Sequence, residues 1–194
     1  MKKTFIIVAV IIIGLVGVDQ LSKIMILNHN GGRDVREICF DIQTDPDVTY
    51  SDHPGIDCGI NDIEVIPGVF HFTFSFNTGA SFGSFKGNLT LFYVISIFAA
   101  GLFYILLKDI NWKTKKWYTA AVVLTVAGGI GNAIDRILFQ KVTDFIELDF
   151  MRFAIFNFAD MCLVVGVILF GLDLVLEEIN GRNKSSETTE QPED

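Results

Sequence analysis

Four stretches of this chain are too apolar and too long to be surface elements of a water-soluble fold. Phe5–Val18 is the first, broken by Asp19 and resumed to Leu27. Leu89–Leu107 is the second and carries no charged residue. Trp117–Ile134 is the third and Phe153–Leu172 the fourth. A helix rises 1.5 Å per residue, so about 20 apolar residues cross a hydrocarbon core of ~30 Å. Each block meets or approaches that length. The chain is 51% hydrophobic, but the gathering of apolar residues into blocks is what decides the class. The sequence predicts an all-α membrane protein: a single integral-membrane domain over residues 1–182, with helices at about 5–27, 89–107, 117–138 and 155–176. An outer loop over 28–88 holds a small β-rich segment between the first two helices. The polar tail over 183–194 reads as disordered and cytoplasmic.

Basic residues near helix ends set the orientation. Lys2 and Lys3 precede the first block, Lys108, Lys113, Lys115 and Lys116 fill the link between the second and third, and Arg182 and Lys184 follow the fourth. All three sets suit a cytoplasmic side, so both termini are expected inside. The loop after the first block is acidic, from Asp34 to Glu64, and is expected outside. The net charge of −8 resides in that loop and the tail, which argues against a nucleic-acid partner. Lys2-Lys3 before an apolar run also resembles a secretory signal peptide, but no A-x-A cleavage site follows and apolar character resumes at Ile24–Leu27.

Ionisable residues inside such blocks are costly and default to function. Asp19 lies roughly 20 Å along the first helix, in its outer third, with Lys23 four residues on and on the same face. Asn132, Asp135 and Arg136 fall at i, i+3 and i+4 near the outer end of the third helix, preceded by Gly128, Gly129 and Gly131. Small residues there let another helix backbone approach. Asn157 and Asp160 occupy the first outer turn of the fourth helix, and Thr143-Asp144 lies in the outer link before it. Polar groups from three helices thus gather at one depth. Interhelical hydrogen bonds alone are a simpler explanation, at about 0.6 kcal/mol each, but they do not account for four acids at one level.

Val69–Phe76 alternates bulky and polar residues, a strand signature, and runs into the small-residue turn Asn77–Gly83. Its phenylalanines either face lipid or pack within a hairpin. No period is legible between Asn28 and Glu64. Cys39 and Cys58 in that loop allow a disulfide or two free thiols. The cysteines and histidines have no metal-site spacing, so neither metal nor cofactor is expected.

Five motifs now stand in order: Asp19-Gln20-Leu21-Ser22-Lys23, Asn77-Thr78-Gly79-Ala80-Ser81-Phe82, Gly131-Asn132-Ala133-Ile134-Asp135-Arg136, Val142-Thr143-Asp144-Phe145 and Phe156-Asn157-Phe158-Ala159-Asp160. Together, over roughly residues 5–175, the chain resembles the prolipoprotein signal peptidases, also called signal peptidase II. The resemblance implies a bacterial inner-membrane aspartyl protease that removes signal peptides by cutting before a diacylglyceryl-modified Cys. Its catalytic pair would be Asp144 and Asp160. Asp19, Lys23, Asn77, Gly128, Asn132, Asp135, Arg136 and Asn157 would line or brace the site. Its partners would be lipidated precursors and membrane lipid, with the site toward the outer face. One chain holds every motif, so a monomer is expected. Two departures stand out: a longer outer loop bearing two Cys, and Met161 where a Ser is common. A proton-coupled carrier is the competing class, but carriers place their acids at the bilayer midplane and are built from internal repeats. A purely structural subunit leaves the clustered acids unexplained.

Overall fold

The computed structural model describes residues 2–45, 47–49, 52, 53, 56, 58–78, 101 and 107–189. Helix α1 spans Lys2–His29, α2 Arg33–Thr44, α3 Lys116–Phe139 and α4 Phe158–Thr189, with strands β1 Ile63–Ile66, β2 Phe70–Asn77 and β3 Val142–Leu148. Among the described residues three helices, α1, α3 and α4, are long and apolar enough to cross a membrane. They are apolar around most of their circumference, as a lipid-facing helix must be: Phe5, Ile6, Val10, Ile13, Leu21 and Met25 of α1 are all exposed. The expected second span, Leu89–Leu107, lies almost entirely outside the described residues, as does the turn beyond Thr78.

The three strands form one antiparallel sheet in the order β1-β2-β3. This corrects the expectation of a β-rich segment confined between the first two helices, because β3 comes from the link after α3. A short link read as loop becomes a strand where a partner edge lies beside it: Phe72 pairs with Ile146, Ser75 with Asp144, and Asn77 with Val142. The alternating stretch is indeed β2, and its phenylalanines pack inward. Phe74 and Phe145 are buried with Ile26 and Leu27 of α1, with Phe72 and Phe76 packed against them. Each such side chain contributes about 1.5–3 kcal/mol when fully buried. The sheet therefore rests on the end of α1. Gly31 and Gly32, at φ 89° and 91°, turn the chain there, a conformation glycine adopts without steric cost.

The stretch without a legible period holds α2. Its Arg36 and Cys39 are buried, and Arg36 donates to the carbonyls of Cys58 and Gly59 at 3.3 and 3.0 Å. Cys39 and Cys58 form a disulfide, which settles the open pairing. The Arg33 guanidinium lies 3.5 Å from the Phe139 ring centroid, docking α2 over the C-terminal end of α3. Helix α4 continues to Thr189. The first part of the tail expected to be disordered is therefore helical, as a continuation of an already nucleated helix.

Candidate active site

Helices α3 and α4 approach closely because α3 carries glycine where they meet. A Cβ at Gly128 would run into the Ala159 carbonyl oxygen, and one at Gly131 would lie 2.6 Å from Asp19 Oδ2 and 3.1 Å from Ala159 Cβ. The glycines therefore bring α1, α3 and the first turn of α4 together. Gln140, in the left-handed conformation at φ 57°, ends α3 and turns the chain into β3.

The first turn of α4 explains why an aspartate begins an apolar helix. Asn157 Oδ1 accepts the Asp160 N–H at 3.0 Å, and Asp160 Oδ2 accepts the Asn157 N–H at 3.1 Å. This reciprocal capping box satisfies donors that a helix start leaves open. Asp160 Oδ1 accepts from Asn132 Nδ2 at 2.7 Å. Asn157 Nδ2 donates to Asp144 Oδ1 at 2.6 Å and to Asn132 Oδ1 at 3.0 Å. Asn77 Nδ2 donates to Asp144 Oδ2 at 3.0 Å. One buried asparagine, Asn157, thus bonds to both Asp144 and Asp160, and β2 closes the other side of Asp144.

Beneath the two aspartates lies an ion cluster. Lys23 Nζ stands 2.8 Å from Asp19 Oδ2 and 3.4 Å from Asp135 Oδ2, and donates to Asn132 Oδ1 at 3.2 Å. Asp19 Oδ1 accepts the Ala159 N–H at 2.9 Å, and Asp135 Oδ2 accepts the Thr143 N–H at 3.1 Å. The expected i, i+4 pair is therefore one arm of a triad tying α1 to α3, β3 and α4. Gln20, which sequence reasoning passed over, bridges it: its Nε2 lies 3.0 Å from Asp19 Oδ2, 3.1 Å from the Gly131 carbonyl and 3.2 Å from Asp135 Oδ1. The available signal was an amide beside Asp19 within an apolar run. Arg136 donates to the Asn132 carbonyl at 3.5 Å and lies within electrostatic reach of Asp160, Asp144 and Asp135.

All ten residues singled out in the sequence fall in this one region. Burial pushes the Asp144 carboxyl up to about 6; the Asn77 hydrogen bond opposes this, the Asp160 charge adds to it, and Asn157 and Lys23 oppose it. A carboxyl in that range can hold or release a proton near neutrality. Among the described residues no group of three or more His, Cys, Asp or Glu side chains is placed to hold a metal ion.

The comparisons with known proteins agree on a relationship. The model of the Signal peptidase (SPase) II family matches residues 10–176. A lipoprotein signal peptidase of Streptococcus agalactiae serotype V is 34% identical over 179 residues, 92% of this chain and 97% of the relative. One from Enterococcus faecalis is 42% identical over 116 residues, 59% of this chain and 71% of the relative. Two solved structures described as bacterial membrane enzymes superpose with TM-scores of 0.63 and 0.59. They are 28% and 29% identical, and the matches cover 96% and 86% of this chain and 94% and 91% of theirs. With the family model running from within α1, through α3 and the sheet, to within α4, the chain belongs to the signal peptidase II family.

Proposed function

We propose that this protein is an intramembrane aspartyl endopeptidase that removes signal peptides from bacterial prolipoproteins, cleaving before the diacylglyceryl-modified Cys. The observation that carries the reading is the single buried Asn157 bonded to both Asp144 and Asp160. Two neighbouring carboxyls sharing one proton supply a base and an acid at once. One takes a proton from the attacking water and later delivers it to the leaving nitrogen. The other protonates the scissile carbonyl oxygen and recovers its proton when the intermediate collapses. Asp19, Lys23, Gly128, Asn132, Asp135, Arg136 and Asn157 hold the pair in place, and Asn77 sits where β2 meets it. The depth suits the substrate: acyl chains stay in lipid while the peptide bond is presented near the interface. Purified Asp144→Asn and Asp160→Asn should each fail to cleave a lipidated precursor while folding normally. Full activity in either variant removes that residue from the pair.

Four spans fit this reading. The ends of α1 and α3 both meet the same sheet, since Ile26 and Leu27 pack on it and β3 follows Phe139 within a few residues. Two helices pointing the same way require a return crossing between them, and Leu89–Leu107 is the apolar segment in that interval. The basic link supports a topology with both termini in the cytoplasm and the aspartates toward the outer face of the cell membrane, and the reading takes one monomer over 1–182 to hold the whole site.

A further inference from the structure

Helix α2 reaches the neighbourhood of Asp144 through one ring, that of Phe76 on β2. The Phe40 ring of α2 meets it edge-on, with centroids 5.8 Å apart. Lys141, in the link into β3, lies over both rings, its Nζ 5.0 Å from the Phe40 centroid and 4.7 Å from the Phe76 centroid. The Arg33 guanidinium stands 6.0 Å from the Phe76 centroid. Glu37 of α2 faces both cations, 3.7 Å from Lys141 Nζ and 3.9 Å from Arg33 Nη1. Attraction between a cation and a ring strengthens as water is excluded, and the Lys141 side chain is only 14% exposed. The residue after Phe76 is Asn77, which donates to Asp144 Oδ2 at 3.0 Å. The end of β2 is thus held by β3 through the backbone, with Phe76 paired to Thr143 and Asn77 to Val142, and by α2 through the Phe76 ring. α2 itself has 12 residues, a length at which an isolated helix is marginal in water. It is fastened by the Cys39–Cys58 disulfide and by Arg36 on the Cys58 and Gly59 carbonyls. Cys39 and Phe40 are consecutive, so this fastening acts directly beside the ring contact.

Resting on the dyad reading, we propose that α2 is a positioning element for Asp144: the Cys39–Cys58 disulfide holds Phe40 against Phe76, and Phe76 holds Asn77 at the Asp144 carboxyl. Phe40, Lys141 and Phe76 are positioning residues that act on the reaction through Asn77. When Asn77 is displaced, Asp144 loses one side-chain donor and keeps Asn157 on its other oxygen, so its carboxyl is free to turn. A small displacement of a reacting group costs far more in rate than in stability. The disulfide of the long outer loop therefore sustains the rate of cleavage and not the fold alone.

Kinetics of the full-length protein in detergent on a lipidated precursor, with melting temperatures of the same samples, test this relay. A dithiol takes the disulfide to two thiols and is itself oxidised to a disulfide. Thiol counting confirms the exchange, and rates are measured well below the melting temperature of the reduced protein. Reduction should lower kcat by about tenfold or more, the scale of one lost hydrogen bond to a charged group. KM should change little, and reoxidation should restore the rate. Cys39→Ser/Cys58→Ser should match the reduced protein. Phe40→Ala should show the same loss with its disulfide intact, whereas Phe40→Tyr, which keeps the ring, should retain the rate. Asn77→Ala should lose at least as much, and reducing it should remove little more, because both changes break one link. Equal losses on reduction with and without Asn77 assign the disulfide to stability alone and overturn the proposal, as does a reduced protein that cleaves at the oxidised rate. If Asn77→Ala is too slow to measure, reduction of Phe40→Ala decides: no further loss supports the relay, and a second tenfold loss overturns it. Cleavage by Asp144→Asn would instead overturn the dyad itself, whatever the disulfide does.

Discussion

Lys23 stands between two carboxylates, and removing it tests whether the cluster compensates its own charges. Asp19, Lys23 and Asp135 are each 1% exposed. Lys23→Met keeps most of the stem and deletes the cation, leaving two buried carboxylates within reach of one empty charge position. Breaking a buried ion pair costs about 3–5 kcal/mol, and one cation serving two anions places the loss toward the upper end. The variant Asp19→Asn/Lys23→Met/Asp135→Asn removes all three charges but keeps the acceptors. An asparagine oxygen at each position still receives the Ala159 and Thr143 N–H groups, now bonded at 2.9 and 3.1 Å. Orphaning either would cost about 1–3 kcal/mol, and the triple variant avoids that. The triple variant should therefore be more stable than Lys23→Met by about 2 kcal/mol. Thermal unfolding of wild type, single and triple variants in one detergent at one pH measures the difference. A triple variant that melts below Lys23→Met refutes mutual compensation, and the bracing role of the charges falls with it.

Gly128→Ala should destabilise by about 1–3 kcal/mol or more, because the added methyl meets the Ala159 carbonyl oxygen rather than a movable side chain; an unchanged melting temperature would show that α3 and α4 separate at no cost. Asp144 gives a pH-dependent signature. Its folded value of about 6 stands above the ordinary 3.8, so between those values the folded state binds more protons than the unfolded one and stability falls as pH rises. About two units correspond to a loss of about 3 kcal/mol, complete above about pH 7 and absent below about pH 3. Asp144→Asn lacks this component, so its stability relative to wild type should rise over that interval, and parallel stability curves would contradict the burial argument. For topology, Lys113→Cys should resist a membrane-impermeant thiol reagent in intact cells while Asp47→Cys reacts; the opposite labelling would overturn the proposal that the site faces outward.

Much of this protein was written in one dimension. Membrane-length helices follow from apolar run length alone, because a backbone in lipid must satisfy its own hydrogen bonds. The level at which polar residues gather follows from the constant rise of the helix, which placed Asp19, Asn132, Asp135 and Asp160 near one end before any packing was known. β2 was legible because strand alternation is local. The sequence could not say what those residues touch. Whether Val142–Leu148 is loop or strand depends on β2 lying alongside it, a contact between distant segments. α2 stayed hidden because its buried face is formed by Arg36 and Cys39, an arginine bonded to distant carbonyls and a half-cystine whose partner lies elsewhere. Asp19 and Lys23 were seen as a pair, since four residues on a helix make neighbours. The third member, Asp135, and the bridging Gln20 appeared only when Gly128 and Gly131 allowed three helices to close. The difference between Asp144 and Asp160 was the deepest-hidden feature. In sequence both are single aspartates, one after Thr143 and one after Ala159, and only the fold sets Asp160 on a capped helix start and buries Asp144 on a strand.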